Sequence, residues 1–208
     1  YLDIVKDRLY TAGKKSLSRR ACQTVLYEIS QALTRMLAPV MPHQAEDIWQ
    51  NMPEKHRDGI ESVLLTDWPT TNVKWANDKL EAEFTKILKL REIVTKAIEP
   101  LRADKQVGSS LEVAVYVQGG DPELLKKYES ELANIFITSQ AELVDKAPEH
   151  VLNEYKEDDY TIYVTDAHGE KCERCWKYRK LIQVGNHGEI CQDCINACLL
   201  YTSDAADE

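Results

Sequence analysis

The sequence has no run of apolar residues approaching the length of a membrane span, which excludes a hydrophobic transmembrane helix. It has no secretory signal, so nothing in it announces an oxidising compartment. It has no excess of positive charge. At −9 overall, a nucleic-acid partner has to be met by local patches, not by global attraction. It opens on Tyr1 instead of Met, inside what reads as a helix, so the chain is expected to be a fragment of a longer protein. No nucleophile stands beside a base: Ser109 and Ser110 read as a turn into a strand, and His43 after Pro42 as a helix-start residue.

What is present is a globular balance, 29% charged and 43% hydrophobic over 208 residues, enough for one or two cored domains. Four of the six cysteines carry the strongest pattern. Cys172 and Cys175, then Cys191 and Cys194, form C-x2-C, 15 residues, C-x2-C. Two cysteines on a tight turn aim both thiolates at one point, and a second turn completes a tetrahedron. Four sulfurs leave no position for water, so the spacing predicts one structural zinc and no catalytic metal. Two disulfides would suit a secreted chain, and a redox C-x2-C would need a surrounding βαβ pattern; neither context is present. Gly185, Asn186, His187 and Gly188 between the pairs suit a hairpin turn, with His187 a loop residue and not a ligand. Cys22 reads as a small buried residue on a helix face.

Lys171, Arg174, Lys177, Arg179 and Lys180 surround the first pair, with Trp176 and Tyr178 interleaved. Two readings stand. Cations beside exposed aromatics suit a single-stranded nucleic-acid loop, charge for phosphates and flat faces for unstacked bases. Alternatively, Trp176 packs on the zinc turn and the cations offset thiolate charge. A second basic cluster, Lys6, Arg8, Lys14, Lys15, Arg19 and Arg20, is opposed by Asp3 and Asp7; it is a phosphate-contacting patch or a solvated helix surface.

Periodicity predicts a mainly α fold: a helical bundle, then a small α+β unit, then the four-cysteine knuckle. Leu2, Val5 and Leu9 mark a first helix that Gly13 ends. A long amphipathic helix follows, with Ala21, Val25, Ile29, Leu33, Met36 and Leu37 inward, and a short one restarts after Pro42, its Ile48 and Trp49 docking on the long helix. Residues 77 to 101 form another helix, with Leu80, Phe84, Ile87, Val94, Ile98 and Leu101 on one face and a kink or end at Pro100. Leu111, Val113, Val115 and Val117 alternate with more polar neighbours as a half-buried strand. A helix entered by Asp121-Pro122, strands at 141–144 and 160–164, and a solvated acidic loop at 154–159 complete the unit. The expected domains are 1–75, 76–168 and 169–197.

Four motifs resemble the C-terminal portion of bacterial isoleucyl-tRNA synthetases: YLDIVKDRLY (1–10), SRRACQTVLYEI with LAPVMPHQAEDIW (18–49), KQVGSSLEVAV (105–115), and GEKCERCWKY with EICQDC (169–194). The resemblance covers residues 1–197. The first two motifs are partly shared with valyl, leucyl and methionyl relatives, and a similar knuckle ends formamidopyrimidine-type DNA glycosylases. The resemblance implies an anticodon-binding bundle of a cytoplasmic, monomeric class I ligase that charges isoleucine tRNA using ATP. ATP and Mg would belong to a catalytic domain outside this chain, which lacks the HIGH and KMSKS signatures. It further implies that Lys14, Lys15, Arg19 and Arg20 hold the backbone of the anticodon arm while Arg174, Trp176, Lys177 and Arg179 contact its loop. The alternative is a stand-alone zinc-ribbon module for nucleic acid or protein. Residues 198–208 resemble a translated sequencing adapter and are expected to be non-native.

Overall fold

Val113 to Gly119 (β1) is the strand on which the larger of two compact units is built. The computed structural model describes residues 1–184 and 188–202. The units are Lys15–Asn77, and Tyr1–Lys14 together with the chain from Asp78 onward. The first helix, α1 (Leu2–Tyr10), therefore groups with the α+β unit and not with the residues up to 75. Its Val5 is buried, Ile4 packs on the main core, and Arg8 meets Glu131 at 2.5 Å. Leu2, expected inward, is exposed.

In the larger unit, α4 (Asp78–Ala103) leads to β1, then to α5 (Pro122–Phe136), β2 (Gln140–Leu143), β3 (Asn153–Glu157) and β4 (Tyr160–Asp166). The sheet order is β2-β1-β4-β3, with β1–β2 parallel and the other pairs antiparallel. The β1-α5-β2 segment is a crossover unit, because parallel neighbours need a long connection. Asp121 caps α5, its Oδ1 accepting from the Leu124 N–H at 3.2 Å, and Pro122 takes the first turn where no donor is needed. Ile137 ends α5 in the left-handed region.

One face of the sheet presents Val113, Val115, Val117, Ile162 and Val164 to Ile87, Leu90, Ile93, Val94, Ala97, Ile98 and Leu101 of α4 and to α5. Leu80 and Phe84, expected on that buried face, are 44% and 39% exposed, one to two turns before the sheet begins to cover α4. Pro100 does not end α4, which runs on to Ala103.

Two further expectations change. The strand read as half-buried is buried on both sides, because Ala114 and Tyr116 pack with Tyr163 on the other face. The acidic stretch read as a solvated loop contains β3. Tyr155 pairs with Ile162 across the ladder, while Glu157 accepts from Lys96 at 2.7 Å and Asp158 turns with φ 51°. At the hairpin end Gly119 is obligatory: φ is 90°, and a Cβ there would lie 2.1 Å from the Asp159 carbonyl oxygen.

The smaller unit holds α2 (Leu17–Leu37), α3 (Pro42–Asn51) and short 3-10 turns around a core of Ala38, Ala45, Trp49 and Val63. Trp49 is fully buried and its Nε1–H donates to the Ile60 carbonyl at 3.1 Å. Cys22 is buried, as its helix face predicts. The stripe expected to face inward does not. Val25, Ile29, Leu33, Met36 and Leu37 are 39–50% exposed, as is Ile48 at 40%. The covered side of α2 carries Gln31 and Thr34, whose polar groups are satisfied by the His56 and Ser30 carbonyls.

Candidate metal centre and nucleic-acid interface

The chain leaves the sheet at Asp166 and enters two short hairpins. In the first, β5 (Glu170–Lys171) pairs with β6 (Tyr178–Arg179); in the second, β7 (Leu181–Gln183) pairs with β8 (Glu189–Cys191), and α6 (Gln192–Thr202) follows. Gly185, Asn186 and His187 lie outside the described residues, so the reading of His187 as a loop residue is neither supported nor opposed. Residues 198–202 continue α6, and 203–208 are likewise outside the description.

The first hairpin turn closes with the Cys172 N–H donating to the Lys177 carbonyl at 2.9 Å and the Trp176 N–H to the Cys172 carbonyl at 2.8 Å. That folds Cys172 and Cys175 toward one point. Cys191 ends β8, and Cys194 sits in the first turn of α6. All four sulfurs lie within 4.8 Å of one another. Cys172 to Cys194 is 3.8 Å and Cys175 to Cys191 is 3.7 Å. A tetrahedron of sulfurs about 2.3 Å from a zinc ion has edges of about 3.8 Å, so the cage fits. All four cysteines are free thiols.

The electrostatics also suit a cation. Burial opposes ionisation of Cys172, but the N–H groups of Cys175, Cys191 and Arg174 outweigh it and hold that thiol down to about 6. Burial pushes Cys194 up to about 11, against the Arg174 guanidinium 3.5 Å from its sulfur. Burial and the Cys194 sulfur push Cys175 higher still. The cage thus favours a thiolate at Cys172 and resists one at Cys175 and at Cys194. Zinc supplies, when bound, the positive charge that lets every thiol ionise at once.

The cations and aromatics around the cage divide. Lys177, expected to touch RNA, does not face solvent: it is 7% exposed, and its Nζ reaches Asp7 Oδ2 at 2.8 Å and Asn134 Oδ1 at 2.7 Å. The reason is desolvation. A buried ammonium needs a carboxylate and a further acceptor, and α1 and α5 provide them. Arg174 is exposed and donates from Nη1 to the Thr11 carbonyl at 2.7 Å. Arg179 is half-buried, 3.3 Å from Asp193, with its Nε buried and unpartnered among the described residues. Trp176 is 63% exposed, so it does not pack under the zinc turn. It also holds φ 64°, a left-handed conformation that is strained for a bulky side chain. Of the other cluster, Lys14 is exposed and belongs to the larger unit, while Lys15 and Arg20 (exposed) and Arg19 (half-buried) belong to the smaller.

Sequence reasoning missed what anchors the knuckle. Ser139 Oγ donates to the Leu111 carbonyl at 2.5 Å and accepts from the Tyr178 N–H at 2.7 Å. Gln140 clamps His168 through both its N–H and carbonyl, at 3.1 and 3.0 Å, and also reaches the Tyr178 carbonyl. Nothing in a Ser-Gln dipeptide signals this.

Residues 1–117 match the family described as the anticodon-binding domain of tRNA ligase. The chain belongs to that family. Residues 169–197 of this member of the anticodon-binding domain family match a second family, the zinc finger found in FPG and IleRS, so the four-cysteine cage is the site of one structural zinc. The chain is 42% identical over 203 residues to an isoleucine–tRNA ligase of Gloeobacter violaceus, covering 95% of this chain and 20% of that protein. It is 38% identical to the same enzyme of Natranaerobius thermophilus (93% and 21%) and 39% identical to the chloroplastic/mitochondrial enzyme of Arabidopsis thaliana (99% and 21%). It therefore spans about a fifth of the length of these relatives. Among the described residues no helix is long and apolar enough to cross a membrane.

Proposed function

We propose that this chain is the tRNA-binding C-terminal part of an isoleucine–tRNA ligase, holding the anticodon arm of isoleucine tRNA while a catalytic domain elsewhere in the protein charges it using ATP and Mg. The observation that carries this reading is the likeness to these ligases over nearly the whole chain, through both the anticodon-binding match and the zinc-finger match. A stand-alone zinc ribbon would account only for residues 169–197.

In this reading Cys172, Cys175, Cys191 and Cys194 are the four zinc ligands, and zinc fixes a segment too short to bury a core of its own. Arg174, Trp176 and Arg179 contact the anticodon loop. Lys177 holds the knuckle to α1 and α5 and touches no RNA. Lys14, Lys15, Arg19 and Arg20 contact phosphates, which position the RNA without reading its sequence. The boundaries 1–75, 76–168, 169–197 and 198–208 stand as proposals, with α1 reassigned to the second. The protein acts as a monomer in the cytoplasm, where zinc thiolates stay reduced.

Filter binding of isoleucine tRNA to the zinc-loaded chain tests this. Binding should weaken steeply with salt and fall when Arg174 and Trp176 are both changed to Ala. Binding that ignores that double change would remove the knuckle from the interface.

A further inference from the structure

The chain leaves α1 through Thr11, Ala12 and Gly13, and neither these residues nor Lys14 after them are buried. Apolar packing therefore does not fix this exit, although it leads straight to Lys14, the exposed cation that closes the first segment of the larger unit.

Three contacts reach the exit from the zinc knuckle. Arg174 Nη1 donates to the Thr11 carbonyl at 2.7 Å, across 163 residues of chain, and the same nitrogen lies 3.5 Å from the sulfur of Cys194. One guanidinium thus joins the cage to the C-terminal end of α1, where a cation also suits the helix dipole. Lys177 reaches Asp7 Oδ2 at 2.8 Å, and Asp7 Oδ1 accepts from the Thr11 hydroxyl at 2.8 Å, so Thr11 is held through its side chain as well as its carbonyl. Finally, α6 runs alongside Gly13: a Cβ there would meet the Ala197 backbone at 3.6 Å, an ordinary van der Waals distance. Arg174, Lys177 and Ala197 all belong to the zinc-finger match, the segment whose geometry depends on the metal.

We propose that the zinc knuckle braces the exit of α1, with Arg174 and Lys177 as positioning residues that hold Thr11, Ala12 and Gly13 and so set the place of Lys14. This rests on the tRNA-binding reading above, in which Lys14 contacts a phosphate, and adds that loading the cage raises affinity at a cation outside the knuckle. The gain is entropic. A loose segment that carries a cation gives up conformational freedom when it meets a phosphate, and a segment already fixed has less to give up. The cage and Lys14 are then coupled sites, one strengthening the other without touching the RNA at the same place.

Arg174 contacts RNA in that same reading, so the test works through Lys177, which is buried. Affinity for isoleucine tRNA is measured over a range of salt for the zinc-loaded 208-residue chain, Lys177→Gln, Lys14→Ala and the double variant. In the unmodified background Lys14→Ala should weaken binding several-fold and lower the slope of log affinity against log salt by about 1. In the Lys177→Gln background the same change should cost less than about twofold and leave the slope unaltered. Hydrogen exchange gives a readout without RNA: the amides of Ala12, Gly13 and Lys14 should exchange faster in Lys177→Gln and after zinc chelation, while Val113 to Val117 stay protected. One zinc per chain is the check on folding; if Lys177→Gln loses it, Asp7→Asn breaks the same pair from α1 and carries the same comparison. Equal losses from Lys14→Ala in both backgrounds, or unchanged exchange at residues 12–14, would overturn the brace and leave the tRNA reading standing. So would Lys14→Ala binding as tightly as the unmodified chain. No binding of tRNA by the unmodified chain would overturn both.

Discussion

Lys177 and Asp7, 170 residues apart in the chain, meet at 2.8 Å. With Asn134 as the second acceptor, this pair fastens the first knuckle turn to α1 and α5. It carries the first prediction. Lys177→Ala leaves Asp7 half-buried without its cation and should cost about 3 kcal/mol, read as a lowered denaturant midpoint. An unchanged midpoint would show that the pair contributes nothing net.

The same pair sets a pH dependence. Burial raises the Asp7 carboxyl, but the Lys177 ammonium and the Thr11 hydroxyl outweigh it and hold it below the ordinary Asp range. A folded value below the unfolded one means stability that is present above about 3.9 and lost as pH falls through the lowered folded value. Asp7→Asn should therefore be less stable than the unmodified chain at neutral pH, and the gap should close on acidification. A gap that stays constant down to pH 3 would contradict this assignment.

Zinc content gives a third check. The chain should hold one zinc, lost in Cys172→Ser. Chelation should unfold residues 169–197 while the sheet persists, because Val113, Val115, Ile162 and Val164 are buried in a core that contains no cysteine. Loss of the whole far-ultraviolet circular dichroism signal on chelation would refute that independence.

Gly169 precedes the cage at φ 94°, and a Cβ there would lie 2.6 Å from the backbone of Arg179. Gly169→Ala should destabilise the hairpin by about 1–3 kcal/mol and raise the chelator sensitivity of the zinc. Trp176→Gly should do the opposite. It relieves a left-handed Trp and should stabilise the turn by about 1 kcal/mol while weakening RNA binding. Thermal melts of the zinc-loaded variants distinguish the two.

The exposed stripe of α2 yields the last prediction. Changing Ile29 or Leu33 singly to Ser should alter the stability of this chain by less than about 1 kcal/mol, since neither side chain is buried here. A loss of 2 kcal/mol or more would mean that the stripe is covered in solution.

These residues also mark where sequence reading succeeds and fails. The cysteine spacing, the Asp121-Pro122 helix start and the alternation of β1 were legible because each is a local rule: ligand geometry, capping, pleat. Lys177 was not, because its acceptors sit on α1 and α5 and no local pattern distinguishes it from Arg174. The face of α2 was misread because periodicity locates an apolar stripe without saying what covers it. Alternation alone puts Tyr116, between Val115 and Val117, on an outward side of β1; the second layer, with Tyr163, arrives only through β4. The acidic 154–159 stretch concealed β3 because its charges are matched by Lys89 and Lys96, far away in sequence.

The fastening of Asp7 by Lys177 has a temporal side. On a ribosome adding roughly 5–20 residues per second, α1 emerges roughly ten to thirty seconds before its last partner is made. During that interval the sheet and α5 can assemble, but Asp7 stays hydrated and the first helix is only partly docked. The earliest segment of this chain to be synthesised is thus among the last to be secured, and its final latch closes only when the knuckle does.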